Sequence, residues 1–342
     1  MHEALRNPEH RRNRRLESRL AELNADLEQG ASAVTRSFAV PRRPAVFLVG
    51  CPRSGTTLLY QWLAASGKFT YPSNFVSRFP RAPWVGARIQ ELLVDPELDF
   101  RGEFNLGPEA EPDPYRSRLG KTRGLSAPNE FWYWWRRFLP EGETHELTAD
   151  QLAEIDITGF RAELAAWEAV LDRPLLMKAL ILNWNLPWLA EAVPGSIFVH
   201  IQRGPISTMQ SLLEARRDFF GETRHWYSFR PPQYRWLKDL DPAEQVAGQA
   251  YFTHRGVEEG LAAVDAKRCL RIDYEDLCRD PGMVFARLQK LLADQGSGFQ
   301  EPYQGPSSFP CRTDLRLSPD EISALRKAWL DLESGLQQVG RA

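Results

Sequence analysis

A chain of 342 residues, 43% of them hydrophobic, is long enough to bury one large core, and its 43 Lys and Arg against 45 Asp and Glu leave a net charge of −2. That balance excludes nucleic acid or an anionic membrane as a partner engaged through overall charge, so an anionic ligand must find a local site. The four cysteines, Cys51, Cys269, Cys278 and Cys311, show no CxxC pair and no disulfide framework, and neither a signal-type N-terminus nor a run of about 18 apolar residues occurs, so a reducing, cytoplasmic setting without a transmembrane segment is expected.

Residues 9–29 carry Leu16, Leu20, Leu23 and Leu27 at spacings of three and four among Arg11, Arg12, Arg14, Arg15 and Arg19, which predicts an amphipathic helix ending near Gly30. Its acidic residues dilute the positive face, so it is expected to pack on the domain, or on a second subunit of a homodimer, rather than on a membrane. With the linker ASAVTRS it makes an N-terminal segment, 1–40, ahead of a single domain, 41–342.

The continuous apolar run Ala45–Gly50 predicts a strand, followed by a loop and a helix. Leu175–Met177, Ile197–Ile201 and Cys269–Ile272 read as further strands of the same sheet. All are apolar without alternation, the pattern of a parallel sheet covered on both faces. Asp241-Pro242, Asp280-Pro281 and Ser318-Pro319-Asp320-Glu321 mark helix starts. Residues 72–150, rich in Pro, Arg and aromatics, read as an insertion. The fold class is therefore α/β, a P-loop-like three-layer α/β/α sandwich on a central parallel sheet.

Between the first strand and its helix lies Gly50-Cys51-Pro52-Arg53-Ser54-Gly55-Thr56-Thr57. Backbone N–H groups and a helix N-terminus there make a site for a phosphate. The glycine spacing is that of a nucleoside-triphosphate loop, yet the lysine that should follow the second glycine is Thr56 and the cation sits earlier, at Arg53. Cys51 reads as a small buried residue; a thiol activated by the neighbouring anion site is the alternative. A second motif, Ser196-Ile197-Phe198-Val199-His200-Ile201-Gln202-Arg203-Gly204-Pro205, runs from strand to turn, with Ser211 on the helix expected over Ile206–Arg217. A guanidinium and a hydroxyl are suitable partners for a phosphate dianion. His200, alternating with apolar neighbours, reads as a core histidine.

PRSGTT, together with the Arg203 and Ser211 spacing, resembles the nucleotide-dependent sulfotransferases, in particular their bacterial and tyrosylprotein-type members, over roughly residues 44–293. The resemblance implies 3'-phosphoadenosine 5'-phosphosulfate as donor, adenosine 3',5'-bisphosphate as product, a hydroxyl-bearing small-molecule or glycan acceptor, and no metal. It implies that Arg53, Ser54, Gly55, Thr56 and Thr57 hold the 5'-phosphosulfate, that Leu58 lies near the adenine, and that Arg203 and Ser211 reach the 3'-phosphate. The usual aspartate after this arginine is Gly204 here, which puts a local contact in doubt. Arg312 either closes over the 3'-phosphate, as a basic C-terminal loop does in relatives, or is a plain surface arginine. Ile272-Asp273-Tyr274-Glu275-Asp276-Leu277 matches a family segment and is expected to be structural.

Sulfuryl transfer needs charge neutralised on the leaving oxygen. Lys178, which follows Leu175-Leu176-Met177 at a strand end, corresponds by resemblance to the lysine that does this. An acceptor hydroxyl also benefits from a general base. Many relatives carry a carboxylate soon after the phosphate-loop helix, but Tyr71-Pro72-Ser73-Asn74-Phe75 has none. Glu130 is then the first candidate and His225 the second, each also readable as a solvated loop residue. Trp132, Trp134, Trp135, Trp226 and Trp236 offer stacking faces to a sugar or aromatic ring, or else belong to the core. A carbohydrate is the leading acceptor class, a phenolic or lipid-like natural product the second. Two other functions stay open: a P-loop kinase or hydrolase, which Thr56 opposes, and an inactive nucleotide-binding scaffold.

Overall fold

The computed structural model describes residues 3–98, 101, 103, 106 and 113–335. The remaining positions of 99–112, inside the expected 72–150 insertion, and residues 336–342, at the end of the expected domain, lie outside the described residues. Among the described residues six strands occur in chain order: β1 Val46–Val49, β2 Ser117–Arg118, β3 Lys121–Thr122, β4 Leu176–Lys178, β5 Ile197–Gln202 and β6 Cys269–Asp273. The central sheet has the order β4-β1-β5-β6 and is parallel throughout, while β2 and β3 form a separate hairpin.

Alternation along β1 explains why its sequence is apolar at every position. Val46 and Leu48 join one core with Leu59, Trp62 and Leu176, and Phe47 and Val49 join the other with Trp135, Trp167 and Phe198. Both faces are buried, so neither parity tolerates a polar residue. A third core lies between the helices Pro205–Phe220, Pro242–Ala262 and Pro319–Glu333. Register aligns the C-terminal strand ends: Leu48 is opposite Lys178, Val49 opposite His200, and Gln202 opposite Asp273. Whatever follows those residues meets along one edge of the sheet, where parallel α/β sheets present their ligand sites.

The expected helix starts are present. Asp280 accepts from Met283 N at 2.9 Å, Asp241 N donates to Glu244 at 3.3 Å, and Ser318 and Glu321 form a reciprocal capping box. At the N-terminus the structure corrects the sequence reading: the helix runs Arg14–Thr35, through Gly30 and most of the expected linker. A helical glycine costs about 1 kcal/mol relative to alanine, and tertiary contacts on either side of Gly30 offset it. Asn24 is buried, donates to Leu20 O and Arg78 O at 2.8 Å each, and accepts from Arg81 N at 3.1 Å. Ala31 is buried as well, and Trp84 Nε1 donates to Thr35 at 3.2 Å. The helix thus packs against Arg78, Arg81 and Trp84 of the same chain. No described helix is long and apolar enough to cross a membrane.

Candidate active site

The phosphate loop closes around backbone conformations its residues are chosen for. Gly50 and Gly55 have φ of 140° and 99°, and a Cβ on Gly55 would lie 2.4 Å from Tyr274 Cδ2. Arg53 also has positive φ, 71°. Ser54 turns its hydroxyl inward, 2.7 Å from Cys51 O and 3.0 Å from Ile201 O, so its side chain ties the loop to β5 and leaves only its backbone for a ligand. Helix Thr56–Ala65 starts at Gly55 with no side-chain cap, which leaves its first-turn N–H groups for an anion. Cys51 is buried, and burial pushes its thiol far above the ordinary range, so it is not an activated nucleophile.

The two motifs separated in sequence meet in space. Arg53 Nε donates to Ser211 Oγ at 3.1 Å, and Arg203 Nη1 donates to Arg53 O at 3.2 Å. Arg203 lies over the Tyr274 ring, 4.8 Å from its centroid, and its second terminal nitrogen donates to Arg312 O. Burial lowers the Arg203 pKa, and its Nε is buried without a hydrogen-bond partner. Two adjacent guanidiniums, one with an orphaned N–H, are an arrangement that a bound phosphate completes. The 3'-phosphoadenosine 5'-phosphosulfate donor therefore fits the residues present.

Arg312 is exposed and lines the cleft, and its backbone N donates to Tyr274 Oη at 3.3 Å. Tyr274, expected to be structural, packs in the core under Arg203 and also lines the cleft, its phenol pushed up to about 12 by burial. Glu275 Oε1 lies 3.9 Å from where a Cβ on Gly204 would sit, so a carboxylate from the next strand end approaches the place of the missing aspartate. Leu58, Tyr115 and Phe309 pack against the same core and line the cleft, where the Tyr115 and Phe309 rings meet edge to face at 5.1 Å.

On the other side of the loop, Lys178 at the end of β4 is buried, and its Nζ donates to Thr57 Oγ1 at 3.1 Å and to Glu130 Oε1 at 2.5 Å. Glu130 Oε2 accepts from Trp132 Nε1 at 2.8 Å, and 30% of the Glu130 side chain is exposed, against 4% for Lys178. The hairpin tip, Leu119 and Gly120 with φ of 51° and 81°, closes over this group. A Cβ on Gly120 would lie 3.3 Å from Thr57 Oγ1, and Leu119 O accepts from Tyr227 Oη at 3.2 Å. His225 lines the same cleft but is held by Glu222 at 2.9 Å and hydrogen-bonds to none of Lys178, Thr57 and Glu130.

These groups open into one cleft of about 2000 Å³. Of the five tryptophans read as either wall or core, Trp132 and Trp226 line the cleft; Trp134 and Trp135 are core residues, and Trp236 packs against Phe252 at 5.7 Å. The tryptophan run is helical over Trp132–Phe138, and helical spacing turns successive residues to different faces. His200 is buried at β5, bonded to Glu258 at 2.9 Å, its pKa lowered to about 4 by burial. Among the described residues, one grouping of metal-ligand types occurs, Glu9, His10 and Asp218, and Arg118 already bridges its carboxylates.

Comparison with known proteins adds the following. A model described as "Sulfotransferase family" matches residues 44–293. The omega-hydroxy-beta-dihydromenaquinone-9 sulfotransferases Stf3 of Mycobacterium bovis and Mycobacterium tuberculosis are each 23% identical over 285 residues, covering 76% of this chain and 64% of theirs. The match thus spans less than two thirds of those relatives. Sulfotransferase STF9 from Mycobacterium avium superposes with a TM-score of 0.52 at 16% identity, covering 96% of this chain and 78% of that one. At that identity the likeness is one of fold, the α/β arrangement around a four-stranded parallel sheet.

Proposed function

The chain belongs to the sulfotransferase family, and from that premise we propose that it transfers a sulfuryl group from 3'-phosphoadenosine 5'-phosphosulfate to an acceptor hydroxyl. The observation that carries the proposal is the meeting of Lys178, Thr57 and Glu130 beside the phosphate loop. A triphosphate loop takes its lysine from the position after its own second glycine; this loop has Thr56 there and receives an ammonium from the neighbouring strand. The kinase or hydrolase reading loses its main support in that exchange.

The bound donor supplies a sulfuryl group on a phosphate leaving group. Arg53, the first-turn amides of the Thr56–Ala65 helix, Arg203 and Ser211 hold its anionic groups, with Leu58, Tyr115 and Phe309 as an apolar wall. Thr57 fixes the Lys178 ammonium, which offers positive charge where the leaving oxygen gains negative charge. Glu130, partly exposed to the cleft, takes the acceptor's hydroxyl proton at a carboxylate oxygen. His225 stays outside this relay, a residue of the wall.

We assign residues 41–342 to one catalytic domain whose 72–150 and 218–240 segments bound the acceptor side, and 1–40 to a segment docked on it. Free thiols at Cys51, Cys269, Cys278 and Cys311 agree with a cytoplasmic reaction. For the acceptor, a carbohydrate or glycoconjugate is supported by Trp132 and Trp226 on the cleft wall. A hydroxylated lipid-like molecule is supported by a wall that includes Leu139, Leu147, Phe219, Phe220 and Phe229, and by the menaquinone lipid for which the Stf3 relatives are named. The test is release of adenosine 3',5'-bisphosphate in EDTA with panels of alkyl glycosides and hydroxylated prenyl quinones. Release stimulated by one panel identifies the class; none with any hydroxyl compound, despite donor binding, favours the inactive-scaffold reading.

A further inference from the structure

We propose that the acceptor carries an anionic group, a phosphate, sulfate or carboxylate, and that Arg230, Arg136 and His145 hold it on the acceptor side of the cleft. The proposal rests on the sulfotransferase reading and names the chemistry of its acceptor.

A continuous wall connects these residues to the reacting centre. Glu130 accepts from Trp132, whose ring stacks on Phe229 at 5.1 Å; Phe229 meets the His145 ring edge to face at 5.2 Å. Arg136, one helical turn after Trp132, lies over the indole at 5.6 Å. All three proposed ligand residues line the cleft.

The local backbone fixes their donors. His145 N donates to Arg230 O at 2.9 Å, and Arg230 N donates to His145 Nδ1 at 3.0 Å, so two loops are zipped together. Because Nδ1 accepts, the neutral ring carries its proton on Nε2. Burial, then Arg230 and Arg136, lower the His145 pKa to about 4, which keeps the ring neutral with that tautomer. Among the described residues Nε2 has no hydrogen-bond partner, so a fixed N–H donor faces the cleft wall.

Charge points the same way. Arg230 donates to Gly142 O at 2.6 Å and lies over Tyr234 at 5.3 Å, but no carboxylate pairs with it among the described residues. Arg136 pairs with Glu141, itself 77% exposed, and its pKa is lowered by burial and by the neighbouring Arg230 and Arg12. Arg12 is matched by Glu17 at 2.6 Å. Two guanidiniums that repel each other across one carboxylate leave uncompensated positive charge, while the chain as a whole is slightly acidic. An anion seated between them relieves that repulsion and accepts the idle Nε2 proton.

The experiment is calorimetric titration of octyl phosphate and octyl glucoside into protein saturated with adenosine 3',5'-bisphosphate, which occupies the phosphate loop. Octyl phosphate is expected to bind at least about tenfold tighter than octyl glucoside, and Arg136→Gln/Arg230→Gln, which keeps polar side chains for the loop contacts, should abolish that preference while nucleotide affinity stays unchanged. His145→Phe, keeping the ring contact with Phe229, should reduce it in part. Equal affinities, a preference that survives in the double variant, or inorganic phosphate binding as tightly as octyl phosphate would overturn the proposal. Failure of the nucleotide to bind would instead strike the sulfotransferase reading, and the two alkyl ligands would then be compared without it.

Discussion

Replacing Lys178 with alanine removes an ammonium held by two partners, Thr57 Oγ1 at 3.1 Å and Glu130 Oε1 at 2.5 Å. Loss of one preorganised donor from a buried site lowers kcat by about 10²–10³, or about 2.7–4 kcal/mol. The stability cost is smaller. A fully buried pair stripped of one partner loses about 3–5 kcal/mol, but Glu130 is partly exposed and water can replace Lys178, so about 1–2 kcal/mol is expected here. Adenosine 3',5'-bisphosphate affinity should fall much less than turnover, because Arg53, Arg203 and Ser211 remain to hold its phosphates. The assay is donor turnover with the best acceptor, alongside calorimetric nucleotide affinity and melting temperature. Turnover within about threefold of wild type, in a folded protein, would refute the assignment of Lys178.

Gly55→Ala should fail in the loop itself: the added Cβ meets Tyr274 at 2.4 Å, on a backbone with φ of 99°. A loss of about 1–3 kcal/mol of stability with weakened nucleotide binding is expected, and a wild-type melting curve would contradict it. Glu130→Gln should lower turnover about 10²-fold or more while leaving nucleotide affinity intact, whereas His225→Gln should leave turnover within a few-fold; reversal of that order in kinetic assays would move the base to His225. Acid should destabilise the fold between pH 6.5 and 4. His145 and His200 have folded-state pKa values near 4 against an ordinary 6.5, so over that window the unfolded chain binds protons the folded one does not, and stability falls as pH falls, by at most about 3 kcal/mol per histidine. A melting temperature flat from pH 7 to 5 would contradict this.

Much of the fold was legible because burial on both sheet faces leaves a simple trace: short apolar runs without alternation, each followed by a polar turn. The nucleotide half of the site was legible for a related reason. Its residues sit within a few positions of strand ends, so the two motifs come to one sheet edge, where Arg53 rather than Arg203 donates to Ser211. What sequence could not carry is closure by distant segments. Tyr274 follows β6 and looks like a helix start, yet its ring supports Arg203 and fills the space that Gly55 leaves. Nothing local marks Leu119-Gly120 as a hairpin tip over Thr57, since neither short strand alternates. Composition also left open which tryptophans are core: the run divides between core and cleft because a helix separates neighbours, and Gly30 reads as a helix end until the packing of Ala31 and Thr35 is known.

The central claim is that the loop and the Arg203 turn form one site for a sulfuryl donor rather than a triphosphate. Calorimetric titration of adenosine 3',5'-bisphosphate and ATP in EDTA, with wild type and Arg203→Ala, tests it directly. Micromolar binding of the bisphosphate but not of ATP, weakened about 10–100-fold by the substitution, is the predicted result; no bisphosphate binding, or ATP preferred once Mg²⁺ is restored, would contradict it.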